Sequence, residues 1–118
     1  MEGEMRAAAE LLKLPNKPTA VLCSNDMTAI GVMRRSYEEG VVIPRDLSVV
    51  GFDDVRLAQF MLPPLTTVHI SQVDLANLAF EALFAEANCN APVSHGGEYT
   101  LPTDLVLRKS TALAPTGC

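Results

Sequence analysis

Two polar clusters hold the residues best suited to chemistry. Ser24-Asn25-Asp26 follows an apolar run from Thr19 to Cys23, and Asp53-Asp54 follows another from Leu47 to Phe52. An Asn amide both donates and accepts hydrogen bonds, while an ionised Asp accepts on two oxygens. Together they suit a small molecule dense in hydroxyls or N–H groups, such as a sugar or a nucleobase. A charge-assisted hydrogen bond contributes roughly 1.5–3 kcal/mol net, so the loss of one Asp contact is felt. An Asp just after a strand also commonly caps the next helix. Asp26 and Asp54 are assigned to that capping role. Asp54 is better placed to cap than Asp53, which leaves Asp53 as the ligand acceptor. Spacing alone leaves Asn25 open between cap and ligand contact.

Other reactive residues lack partners. Cys23, Cys89 and Cys118 lie far apart, with no CxxC and no Cys/His metal spacing. Cys23 reads as a small buried hydrophobe. His69 and His95 have no HExxH context, and His69 reads as an ordinary strand side chain. Gly31, Gly40 and Gly51 are isolated, and Gly96-Gly97 belongs to a loop, so no Gly-rich phosphate loop is present. No GxSxG elbow occurs. The sequence therefore predicts no enzyme, no metal and no cofactor. A hydrolase lacks its nucleophile–base pair. A phospho-receiver needs an acidic pair after the first strand, which Ser24-Asn25-Asp26 supplies only in part.

The elements that must position these residues alternate along the chain. Met5, Ala8, Ala9 and Leu12 recur at helical spacing, so Gly3 to Leu14 reads as an amphipathic helix. Pro15, Asn16 and Pro18 end it. Thr19 to Cys23 is a short buried strand. A helix runs from Met27 to Glu39, closed by Gly40, with Ile30, Met33, Arg34 and Tyr37 on one face. Pro44, Arg45 and Asp46 form a turn. Leu47 to Phe52 is a strand apolar enough to be covered on both faces. A short helix from Val55 to Met61 stops at Pro63-Pro64. Leu65 to Ile70 is a further strand. Ser71 and Asp74 open a helix from Gln72 to Ala87, with a buried stripe on Leu75, Leu78, Ala79, Ala82 and Leu83. Asn88 to Gly97 is a loop. Glu98 to Leu101 and Leu105 to Arg108 are short strands, and the tail from Ser110 is expected to fray. Strands separated by helices give an α/β fold, a mostly parallel sheet with flanking helices. Both polar clusters then fall at carboxyl ends of strands, the edge where open parallel sheets bind ligands.

The bulk numbers narrow the function classes. The chain of 118 residues supports one small domain with a real core. Hydrophobic residues make up 48% and charged residues 19%, an ordinary globular balance. Aromatics are only 5%, which disfavours a stacking surface for single-stranded nucleic acid. The net charge is -5 and the nine Lys and Arg are scattered, so the chain should not grip DNA by itself. The basic pair Arg34-Arg35 sits within a predicted helix, where a solvated face is expected. No apolar run is long enough to span a membrane, and the start has no signal-peptide core. The cysteine pattern suits a reducing cytoplasm.

Four runs carry a resemblance. They are Pro18-Thr-Ala-Val-Leu-Cys-Ser-Asn-Asp26 with Ala29-Ile-Gly31, Ile43-Pro-Arg-Asp-Leu-Ser-Val-Val-Gly-Phe-Asp-Asp54, Pro63-Pro-Leu-Thr-Thr-Val68 and Leu107-Arg-Lys-Ser-Thr111. In order and spacing they resemble the C-terminal region of LacI/GalR-type transcription regulators. The resemblance implies a partial periplasmic-binding-protein-like (type I) domain. Two α/β lobes of such a domain close on an effector and relay the closure to a DNA-binding headpiece. Asn25 and Asp53 match family positions that contact the effector. Ile30, Arg34, Phe60 and Met61 match the family's dimer face. Ile70 stands where the family commonly carries a polar residue, often Gln.

The same resemblance implies that residues 1–68 belong mainly to the C-terminal lobe, that 69–104 cross to the other lobe, and that 105–118 form a return strand and tail. The chain then covers about the last third of such a protein, with the headpiece outside it. The expected partners are a sugar-like small-molecule effector, a second copy or higher oligomer, and operator DNA only through the headpiece. The expected compartment is the cytoplasm, with no membrane partner. The stripe from Leu75 to Leu83 would lack its native cover and favour oligomerisation. A periplasmic sugar-binding transport protein on the same fold is the alternative.

Overall fold

The computed structural model describes residues 2–88 and 97–116. Helix α1 spans Glu2–Leu12, strand β1 Ala20–Leu22, helix α2 Asp26–Glu38 and strand β2 Ser48–Asp53. A short 3-10 helix covers Arg56–Phe60, within the short helix predicted from Val55 to Met61. Strand β3 is Thr66–His69, helix α3 Gln72–Asn88 and strand β4 Asp104–Val106. The sheet order is β1-β2-β3-β4. β1 pairs with β2 in parallel, and so does β2 with β3, which is the predicted α/β class.

Contacts divide the chain into two compact units. One comprises Met1–His69 and Leu105–Cys118; the other comprises Ile70–Asp104. In the first unit, Ala8 and Leu12 of α1 pack with Ala29, Val32 and Met33 of α2 over Val49, Leu47 and Leu65. α2 ends as its sequence suggests. Gly40 takes φ 73°, Val41 donates to the Ser36 carbonyl at 2.8 Å, and Gly40 donates to the Tyr37 carbonyl at 3.2 Å. Glycine adopts that left-handed position without a Cβ penalty. Arg45 and Asp46 pair at 2.8 Å in the turn before β2.

Three expectations are corrected in this unit. β1 is not buried: Ala20 and Leu22 are exposed and Val21 is half-buried. It lies at the sheet edge, with β2 on one side only. Val50 and Phe52 of β2 are half-buried, so its second face is only partly covered. The tail does not fray at Ser110, which is fully buried. Its hydroxyl donates to the Val49 carbonyl at 2.6 Å and accepts the Thr66 N–H at 2.8 Å, and its carbonyl accepts the Val49 N–H at 2.9 Å. Short polar side chains let the tail complete hydrogen bonds that the sheet leaves open beside β2.

The second unit carries α3. Ser71 accepts the Asp74 N–H at 3.2 Å, in line with the capping spacing. None of the 17 residues of α3 is buried, contrary to the predicted stripe. The unit offers that stripe few apolar partners. Leu75, Leu78 and Ala82 line, with Ile70, Tyr99 and Leu101, an open cavity of about 290 Å³. Phe80 and Phe84 stack with ring centres 5.9 Å apart and remain exposed. Residues 97–103 form no strand, correcting the reading of Glu98 to Leu101. The loop predicted before them lies mostly outside the described residues. No helix among the described residues is long and apolar enough to cross a membrane.

Replacing Ser110 by Ala orphans the Thr66 N–H and removes a donor from Val49. The expected cost is about 1–3 kcal/mol in urea unfolding. A change below about 0.3 kcal/mol would show that the tail is not anchored there.

Candidate functional site

The site begins with Asp26, the first residue of α2, which is 0% exposed. Its Oδ1 accepts the Thr67 hydroxyl at 2.5 Å, and its Oδ2 accepts the Val55 N–H at 2.8 Å. The N-terminus of α2 adds a favourable field for an anion. Asp26 therefore does not cap α2. Asn25 does: its Oδ1 accepts the Thr28 N–H at 2.8 Å. The close seat of Asp26 depends on Gly51. A Cβ at that position would lie 2.1 Å from Asp26 Oδ1, inside any permissible contact.

Gly51 and Val55 bracket the turn that carries Asp53 and Asp54. Both Asp residues have positive φ, 109° and 53°. Non-glycine residues rarely adopt such angles, and each costs of order 1–3 kcal/mol unless the surroundings enforce it. The surroundings do so here. Asp54 donates its N–H to Thr67 Oγ1 at 3.4 Å. Its carboxylate meets Arg108 Nη2 at 2.7 Å and His69 Nδ1 at 3.0 Å. The capping role assigned to Asp54 is thus corrected. The residue preceding the 3-10 helix is Val55, and no side chain caps it. His69 is likewise more than a plain strand side chain.

Asp53 differs from its neighbour. It closes β2, pairs in register with His69, and is half-buried. No group among the described residues bonds its carboxylate. Asn25, with Oδ1 engaged as a cap, keeps its NH₂ group for an outside acceptor. β1 and β2 run parallel, so Asn25 and Asp53 follow strand ends on the same sheet edge. That edge offers one donor and one strong acceptor to a polar ligand. Cys23, at 5% exposure, is the small buried hydrophobe expected. Burial, with Asp26 nearby, pushes its thiol up to about 11, which removes it as a nucleophile near neutral pH.

The residues matched to a dimer face are differently placed. Arg34 is exposed and pairs with Glu38 at 2.9 Å, and Phe60 is 66% exposed. Ile30 is nearly covered, at 9% exposure. Met61 is half-buried against the core. Sequence reasoning missed the roles of Gly51, Thr67 and Arg108. Only Gly51 carried a local signal, because an isolated glycine in a strand marks a close approach.

A family model described as a periplasmic binding protein-like domain matches residues 1–111. The chain belongs to that family. Within this periplasmic binding protein-like family its relatives are LacI-type regulators, as the motif resemblance implied. It is 46% identical over 77 residues to the HTH-type transcriptional repressor PurR of Vibrio atlanticus (strain LGP32), covering 65% of this chain and 23% of that protein. It is 42% identical over 81 residues to the ribose operon repressor of Escherichia coli (strain K12), covering 69% and 24%. It is 34% identical over 114 residues to the repressor CytR of the same strain, covering 97% and 33%. The chain thus spans about a quarter to a third of these relatives. Among solved structures, the dimeric Lac repressor with an 11-residue C-terminal deletion matches at TM-score 0.79 and 34% identity, over 96% of this chain and 40% of that one. A LacI family regulator from Enterococcus faecium with bound ribose matches at 0.76 and 31%, over 94% and 40%. Their likeness agrees with the parallel α/β sheet described above.

Replacing Asp26 by Ala leaves the buried Thr67 hydroxyl without its acceptor, at about 1–3 kcal/mol in denaturant unfolding, and also removes the acceptor of the part-buried Val55 N–H. Gly51→Ala should cost more in the native background than beside Asp26→Ala, where the clashing Oδ1 is gone. A coupling of at least about 1 kcal/mol is expected from the double-mutant cycle, and additivity within about 0.3 kcal/mol would contradict the geometry.

Proposed function

We propose that this chain is the effector-sensing and dimerising part of a bacterial LacI/GalR-type transcription regulator, acting as a repressor and answering to a sugar-like small molecule. One observation carries this reading. The Asp53 carboxylate is held without a partner among the described residues on a costly backbone conformation, at the strand edge where α/β sheets bind ligands. In this reading Asp53 accepts ligand hydroxyls and the Asn25 NH₂ donates to a ligand oxygen. The names of the ribose operon repressor and of the ribose-bound and sucrose-bound LacI-type structures support a carbohydrate class. Residues 1–68 then serve as the C-terminal lobe, 69–104 contribute to the other lobe, and 105–118 return. No catalytic role is assigned. Operator DNA is contacted by a separate headpiece, and the working compartment is the cytoplasm.

The dimer face in this reading joins Ile30 and Arg34 of α2 to Phe60 and Met61. Met27, Tyr37 and Leu57 on the same two segments are also exposed. Apolar patches of this kind mark association sites.

A thermal-shift panel of pentoses, hexoses, disaccharides and nucleosides tests the ligand reading on the intact gene product. At least one compound should raise Tm, and Asp53→Ala should abolish the shift. Equal shifts in both proteins would remove Asp53 from the site. Light scattering tests the face. Phe60→Glu should lower the oligomeric mass, and an unchanged mass would place the interface elsewhere.

A further inference from the structure

The two adjacent aspartates divide their work. The Asp53 carboxylate makes no bond among the described residues, whereas Asp54 makes three, two through its carboxylate and one through its backbone N–H. Its main partner, Arg108, is itself fixed at two further points. Arg108 Nη1 donates to the Leu65 carbonyl at 2.9 Å, and its backbone N–H donates to Thr66 Oγ1 at 2.9 Å. The side chains of Arg108 and Asp54 are only 19% and 18% exposed, so solvent screens this pair little. The other partner, His69, is the last residue of the first compact unit before the chain leaves it. The chain re-enters that unit at Leu105, in the strand beside β3 and three residues before Arg108.

We infer that Asp54 is a positioning residue, whose carboxylate ties the turn presenting Asp53 to the end of β3, where the chain leaves the first unit, and to Arg108, three residues after the chain re-enters it. Its functional meaning rests on reading Asp53 as the ligand acceptor; the mechanical link does not. A ligand drawing on Asp53 shifts the backbone of Asp54, and the Asp54 carboxylate carries that shift to His69 and Arg108. The clamp also enforces left-handed geometry at two consecutive residues that would otherwise relax. Glycine needs no such enforcement.

Hydrogen exchange on the full chain, without ligand, tests this. Arg108→Gln should raise exchange at the Val55 amide by about tenfold while the amides of α2 stay within about twofold. Adding Asp54→Gly should restore Val55 protection, because glycine holds the turn unaided. The strand-end amides of His69 and Leu105 should stay fast in that double variant, since the clamp is still absent. An unchanged Val55 amide in Arg108→Gln, or a uniform rise across the first unit, would overturn the inference. Failure of ligand binding with the exchange pattern intact would overturn only the reading of Asp53.

Discussion

Asp26 places a carboxylate where no solvent reaches it. It meets that group's needs with the Thr67 hydroxyl, the Val55 N–H and the field at the start of α2. A charge in such a place costs several kcal/mol unless every partner stays in position. The partners come from β3 and from the segment after β2, so satisfying one group fixes three elements together. Gly51 is the counterpart of this arrangement, since a methyl group there would occupy the space of Asp26 Oδ1. The positions of Asn25 and Asp53 on the sheet edge follow from the same constraint. One is the residue before Asp26, and the other is two residues after Gly51.

The turn between Gly51 and Val55 shows why two aspartates follow one strand. The strained backbone is stabilised through Asp54, by a cation and an imidazole from beyond the turn. The freedom of Asp53 depends on that. A carboxylate engaged by both Arg108 and His69 keeps less acceptor capacity for a ligand, and an unsupported turn would not hold Asp53 half-buried. In the proposed reading, binding chemistry and backbone support are separated onto neighbouring residues. The support reaches the tail through Arg108, and Ser110 anchors that tail inside the sheet.

Much of this was legible in the sequence. The helix periodicity of Met5 to Leu12, the apolar runs of β1, β2 and β3, and Gly40 after α2 each specify local structure that the fold contains. Asp54 was separated from Asp53 as a helix cap, whereas it meets Arg108 and His69 instead. The network of Asp26 was not legible. Thr67 lies 41 residues from Asp26, and Arg108 lies 54 residues from Asp54, so no local pattern links them. Ser110 was misjudged because chain position stood in for burial. The α3 stripe failed for another reason. Its periodicity reports a face that needs cover, but periodicity does not supply the cover. The exposed Leu83 and Phe84 state the same need in the folded chain.

A crystal structure of the protein with its effector tests the central claim most directly. The account predicts an Asp53 carboxylate oxygen within hydrogen-bonding distance of a ligand hydroxyl or N–H. It also predicts that the Asp26 bonds to Thr67 and Val55 stay intact, with Asp53 still at positive φ. A ligand bound without touching Asp53, or a turn relaxed to ordinary extended geometry with Asp26 still in place, would contradict it.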